Sequence, residues 1–83
     1  MTHLQEALRI FEDLLVAEQP ANAGEADAAI WAYLTPFEGL GSQAEALGQM
    51  ERAVAELDAG SAFMPILLNT LERHRARLSE PSA

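Results

Sequence analysis

Helix breakers cut this sequence into four pieces: Pro20 with Gly24, Gly39 with Gly41, and Gly60 with Pro65. Within each piece apolar residues recur every three or four positions. None alternates at the period of two that a half-buried strand requires. That pattern restricts the chain to a few short helices, each burying one face against the others.

In the first piece, Leu4, Ala7, Leu8, Phe11, Leu14 and Leu15 share one helical face, which Ile10 and Ala17 widen. Thr2 and Gln5 have the spacing of a capping box. Glu6, Arg9 and Asp13 line the opposite side, and Val16 falls among them. Pro20 restricts Gln19 and cannot continue the ladder, so the helix is expected to end near Glu18.

After a connection over Pro20–Gly24, Asn22 is placed to cap the second helix, with Glu25 three positions on. Ala26, Ile30, Tyr33 and Leu34 form its apolar stripe. The stretch Ile30–Phe37 holds the only Trp, the only Tyr and one of the three Phe, which marks it as the hub of burial. Trp31 lies about 100° round from Ile30, which places it on the flank beside Asp27. Thr35-Pro36-Phe37-Glu38 reads as a helix start that Gly39 and Gly41 stop after one turn. Phe37 is expected to turn into the core from there.

Ser42-Gln43-Ala44-Glu45 has the form of a capping box and is expected to open the third helix. Leu47, Met50, Val54 and Leu57 give its stripe, and Gly60 occupies the place of a left-handed C-terminal cap. Ala44, Gly48, Ala55 and Ala59 form a strip of small residues on its back. The fourth helix is expected from Ser61 or Met64, with Pro65 tolerated in the first turn. Met64, Leu67, Leu68, Leu71 and Leu78 are assigned inward, His74 and Arg75 to the edges, and Ile66, Thr70, Arg73 and Arg77 outward. Arg73, Arg75 and Arg77 complement the negative end of the helix dipole.

Four amphipathic segments with short connections specify an all-α fold. The expectation is a small four-helix bundle or helical array with a short second helix and a turn at Thr35–Gly41. One domain spans residues 1–78, and residues 79–83 form a disordered tail.

Composition bounds the function. A chain of 83 residues buries only about 60% of its unfolded surface, yet 49% hydrophobic residues suffice to fold it despite a net charge of −8. With no Cys there is neither disulfide framework nor thiolate chemistry. The N-terminus lacks the pattern of a signal peptide, and no apolar run approaches the ~18 residues of a membrane span. A cytoplasmic location is the expectation. All five cations are Arg, which together with abundant Ala and Leu suggests a GC-rich bacterial genome.

The acids concentrate before Gly60, where eleven face only Arg9 and Arg52; beyond it, Arg73, Arg75 and Arg77 face Glu72 and Glu80. Such a body repels nucleic acid and anionic membranes and attracts basic proteins, or simply keeps a small protein soluble.

Little here carries chemistry. His3 and His74 stand at opposite ends, and no acid lies three residues before His74, so neither metal nor cofactor is expected. Nearly all carboxylates fall on polar faces. Asp27, beside Trp31, is the one placed to have an unusual environment. The Arg73–Arg77 pair suggests anion binding, against the plainer account of dipole compensation. No catalytic residue is assigned.

The leading expectation is a small acidic, non-enzymatic interaction module: an inhibitor or immunity factor, antitoxin, dedicated chaperone or accessory subunit. Its candidate partner-binding residues are Val16, Trp31, Ile66 and Asp27, apolar residues away from the core stripe plus one carboxylate. The expected partner is another protein, and the acidic surface suits a basic one. Trp31 is either a plug at the bundle's edge or the centre of the partner site. Two alternatives use the same features. One is a structural homo-oligomer, such as a homodimer, built on Trp31 and the strip around Gly48. The other is an acidic nucleic-acid mimic that blocks a DNA- or RNA-binding protein.

Overall fold

A computed structural model describes residues 2–79. It contains α1 (His3–Ala17), a 3₁₀ turn (Pro20–Asn22), α2 (Ala23–Leu34), α3 (Leu40–Val54) and α4 (Met64–Ser79), with no strand among the described residues. The fold is a small all-α bundle, and α2 is its shortest α-helix. Helix α4 packs chiefly on α3 and α2, and α1 packs on α2. Phe11, Ile30, Leu34, Leu47, Met50, Val54, Leu67 and Leu71 fill the space between them, fully buried. Ser79, expected in a tail, is the last residue of α4; the rest of that tail, residues 80–83, lies outside the described residues.

Helix α1 begins as its sequence directs. Thr2 Oγ1 accepts from the Gln5 amide at 3.1 Å, and Gln5 Oε1 accepts from the Thr2 amide at 3.0 Å. It ends in Glu18, whose φ of 52° is left-handed, an uncommon conformation costing a non-glycine residue about 1 kcal/mol. Asn22 holds the N-cap position of α2, but its side chain makes no capping bond.

The α2–α3 connection differs from expectation in three respects. Thr35 does not open a new helix; it stays helical and its hydroxyl donates back to the Trp31 carbonyl at 2.6 Å. The Phe37 amide closes a tight turn on the Leu34 carbonyl at 3.0 Å. Phe37 itself remains 37% exposed and packs edge-on against Tyr33, with ring centroids 5.5 Å apart, so it does not enter the core. Helix α3 then starts at Leu40, with Gly39 as N-cap, and not at a Ser42 capping box. Gly39 at φ 84° turns the chain early, a conformation a side chain would strain. Gln43 is thereby freed to donate to the Leu34 and Phe37 carbonyls, both at 3.2 Å, which satisfies acceptors left open by the end of α2.

Helix α3 stops at Val54, earlier than the cap assigned to Gly60. Gly60 is not left-handed, and its amide donates to Asp58 Oδ1 at 3.0 Å. On the back of α3, Gly48 lies beside Arg75 of α4, close enough that a Cβ there would meet Nη2 at 3.6 Å. Arg75 passes it to reach Glu51, with Nε 2.9 and 3.0 Å from the two carboxylate oxygens. That pairing raises the guanidinium's already high pKa.

Helix α4 is rotated from the expected orientation. Leu68, assigned inward, is 47% exposed, whereas Thr70, assigned outward, is fully buried. Thr70 can be inside because its hydroxyl donates to the Ile66 carbonyl at 2.9 Å, which removes the cost of burying it unpaired. Ile66, also assigned outward, is half-buried against the core. The rotation follows from two residues that the stripe did not weigh. Phe63, just before the helix, is fully buried, and His74 is drawn inward by a carboxylate on α2. Elsewhere in the core, Tyr33 donates to the Ala46 carbonyl at 3.2 Å, and its burial raises the phenol pKa.

Candidate functional site

Asp27 and Trp31 stand four residues apart on α2, so they share a face. Arg73, His74 and Arg77 occupy neighbouring positions on one side of α4. Where the two helices pack, these five residues line an open notch of about 160 Å³.

His74 is the keystone. Only 4% exposed, it places Nε2 at 2.6 Å from Asp27 Oδ1 and Nδ1 at 3.2 Å from Arg77 Nη2. A carboxylate only accepts and a guanidinium only donates. The network is therefore complete when Nε2 carries the proton and Nδ1 is bare. A proton on both ring nitrogens would set two donors against each other at Arg77. Around this pair the aromatic contacts fix Trp31. Its ring meets the imidazole edge-on at 5.2 Å, and Arg77 Cζ lies 4.0 Å over its centroid. Trp31 is still 45% exposed.

One donor in this cluster is left over. Arg77 Nε is buried with no hydrogen-bond partner among the described residues, an arrangement that costs free energy in a polar side chain otherwise so well placed. Arg73 is exposed and likewise has no ion-pair or hydrogen-bond partner among the described residues. The notch thus combines one aromatic wall, two guanidinium groups and one carboxylate already engaged by His74. The imidazole is enclosed by Asp27 and Arg77, and among the described residues no group of three or more His, Asp or Glu converges as metal ligands would.

Of the four residues assigned to a partner site, the structure brings together two, Asp27 and Trp31. Val16 is 85% exposed at the end of α1, next to Leu15, whose carbonyl meets Ser61 ahead of α4. Ile66 lies in the first turns of α4, about 12 Å along the helix from His74 at 1.5 Å per residue. The three apolar candidates therefore do not form one patch. Sequence reasoning placed His74 at an edge and weighed anion binding by Arg73 and Arg77 against helix-dipole compensation, without joining either to Trp31. The available signal was their spacing of three and four residues, which puts all three on the side that meets α2.

No family model matches the chain, and no curated protein or solved structure shows significant similarity to it. No helix of the described residues is long and apolar enough to cross a membrane.

Proposed function

We propose that this chain is a non-enzymatic protein–protein interaction module, acting in the cytoplasm, that binds its partner through the α2–α4 face centred on Trp31. The observation that carries this reading is a half-exposed Trp31 held rigid from behind by His74 and overlaid by Arg77. Tryptophan and arginine are the side chains that most often dominate interface energetics, because a rigid ring or a planar fork loses little freedom on binding. The buried His74, oriented by Asp27, positions both before a partner arrives, which lowers the ordering cost of association. An inhibitor, immunity factor, antitoxin, dedicated chaperone or accessory subunit would each use such a face.

Self-association through the small-residue strip has less support, because at Gly48 the space beside the backbone is bordered by Arg75. The reading is tested by affinity capture from the source cell with wild-type protein and with Trp31→Ala. A partner retained stoichiometrically by the wild type and lost with the variant supports it. Retention by both proteins, or by neither, contradicts it.

A further inference from the structure

Resting on that reading, we propose that the notch takes a single carboxylate, the Asp or Glu side chain of an otherwise basic segment of the partner protein. Three observations converge on this occupant. The first is donor supply. Arg75 is committed to Glu51, but among the described residues Arg73 has no partner and Arg77 hydrogen-bonds through Nη2 alone, to His74. Both guanidinium groups border the notch, four residues apart on α4. A planar guanidinium matches a carboxylate with two parallel hydrogen bonds.

The second is size. About 160 Å³ corresponds to roughly five waters at ~30 Å³ each, below the ~300–1,000 Å³ typical of small-molecule sites. One short side chain fills it, beside the exposed part of the Trp31 ring.

The third is charge. Arg73 and Arg77 against Asp27 leave the notch at +1, so the rest of the chain, at a total of −8, carries −9. A positive notch in an acidic surface is the complement of one acid within a basic surface. The body attracts such a partner at long range, and the notch sets the register. A nucleic acid presents a phosphate every ~1.7 Å, which this body repels everywhere except at the notch.

The sole tryptophan makes the site its own reporter. The full chain is titrated at low salt with two synthetic peptides, acetyl-Arg-Ala-Arg-Glu-Arg-Ala-Arg-amide and its Gln counterpart, and with a short DNA duplex, following Trp31 fluorescence. The Glu peptide is expected to bind about tenfold more tightly than the Gln peptide. Arg73→Gln is expected to abolish that preference while leaving the far-ultraviolet circular dichroism unchanged. Equal binding of the two peptides, binding of neither, or a preference that survives Arg73→Gln overturns the carboxylate assignment. So does tighter binding of the duplex. None of these outcomes moves the capture experiment with Trp31→Ala, so the two ideas fail separately.

Discussion

The two ends of α4 solve the same problem differently. Ahead of its first turn, Ser61, Ala62 and Phe63 are tied by hydrogen bonds within the chain. The Ser61 hydroxyl donates to the Leu15 carbonyl at 2.5 Å and accepts from the Phe63 amide at 3.2 Å, while the Ala62 amide donates to Glu18 Oε1 at 3.0 Å. Under this latch Phe63 is fully buried. Towards the other end, His74 is satisfied but Arg73 and Arg77 Nε have no partner among the described residues, and Trp31 stands half in solvent. One end is closed on itself and ties α1 to α4. The other is preorganised yet leaves donors over. On the proposed function, stability and recognition fall to separate ends of one helix.

Substitutions sharpen that contrast. The largest effect belongs to the closed end, where Phe63→Ala should cost about 3–5 kcal/mol. That is a major fraction of the ~5–15 kcal/mol available to a small domain. Urea unfolding followed by circular dichroism measures it, and a cost below about 1 kcal/mol would mean the latch is not structural. Ser61→Ala, which strips the partner from a buried carbonyl and a buried amide, should cost about 1–3 kcal/mol by the same measurement.

The open end should be softer. Asp27→Ala removes the acceptor from a buried imidazole, but Asp27 is 46% exposed and water can replace it, so about 1 kcal/mol is expected. Because His74 then loses its orientation, Trp31 fluorescence should shift as well; an unchanged spectrum would show that the pair does not position the ring. Smallest is Arg77→Ala. Loss of a partly exposed cation–π contact and of the bond to His74 Nδ1, which water entering the vacated notch can replace, is offset by removal of an orphaned donor, leaving stability within about 0.5 kcal/mol of wild type. A loss comparable to that of Ser61→Ala would make Arg77 a structural residue and erase the contrast.

The closed end also explains what the sequence did and did not disclose. Local signals were legible: the Thr2–Gln5 box and the stop near Glu18 both follow from residues within a turn of one another. Phe63 was overlooked because it lies outside any periodic stripe, in a connection whose burial depends on Ser61 reaching across to α1. The third helix was misplaced because a good capping box at Ser42 competed with Gly39, whose backbone turned the chain first.

At the open end half of the site was readable. Trp31 beside Asp27 follows from helical geometry alone. That His74 and Arg77 complete it depends on which face of α4 meets α2, a contact between residues 47 positions apart. Helical periodicity defines a stripe to within a residue or two, and the buried Thr70 and exposed Leu68 show that margin being decided by tertiary contacts.

The most direct measurement compares the two ends in the source cell. A photo-crosslinking amino acid is placed at position 28 or 76, exposed neighbours of Asp27 and Arg77 that leave Trp31 and Arg73 in place, and at position 16, beside the closed end. The expected result is one dominant protein adduct from positions 28 and 76 and none from position 16. Adducts from position 16 alone, or from no position, would contradict the assignment of recognition to the Trp31 face.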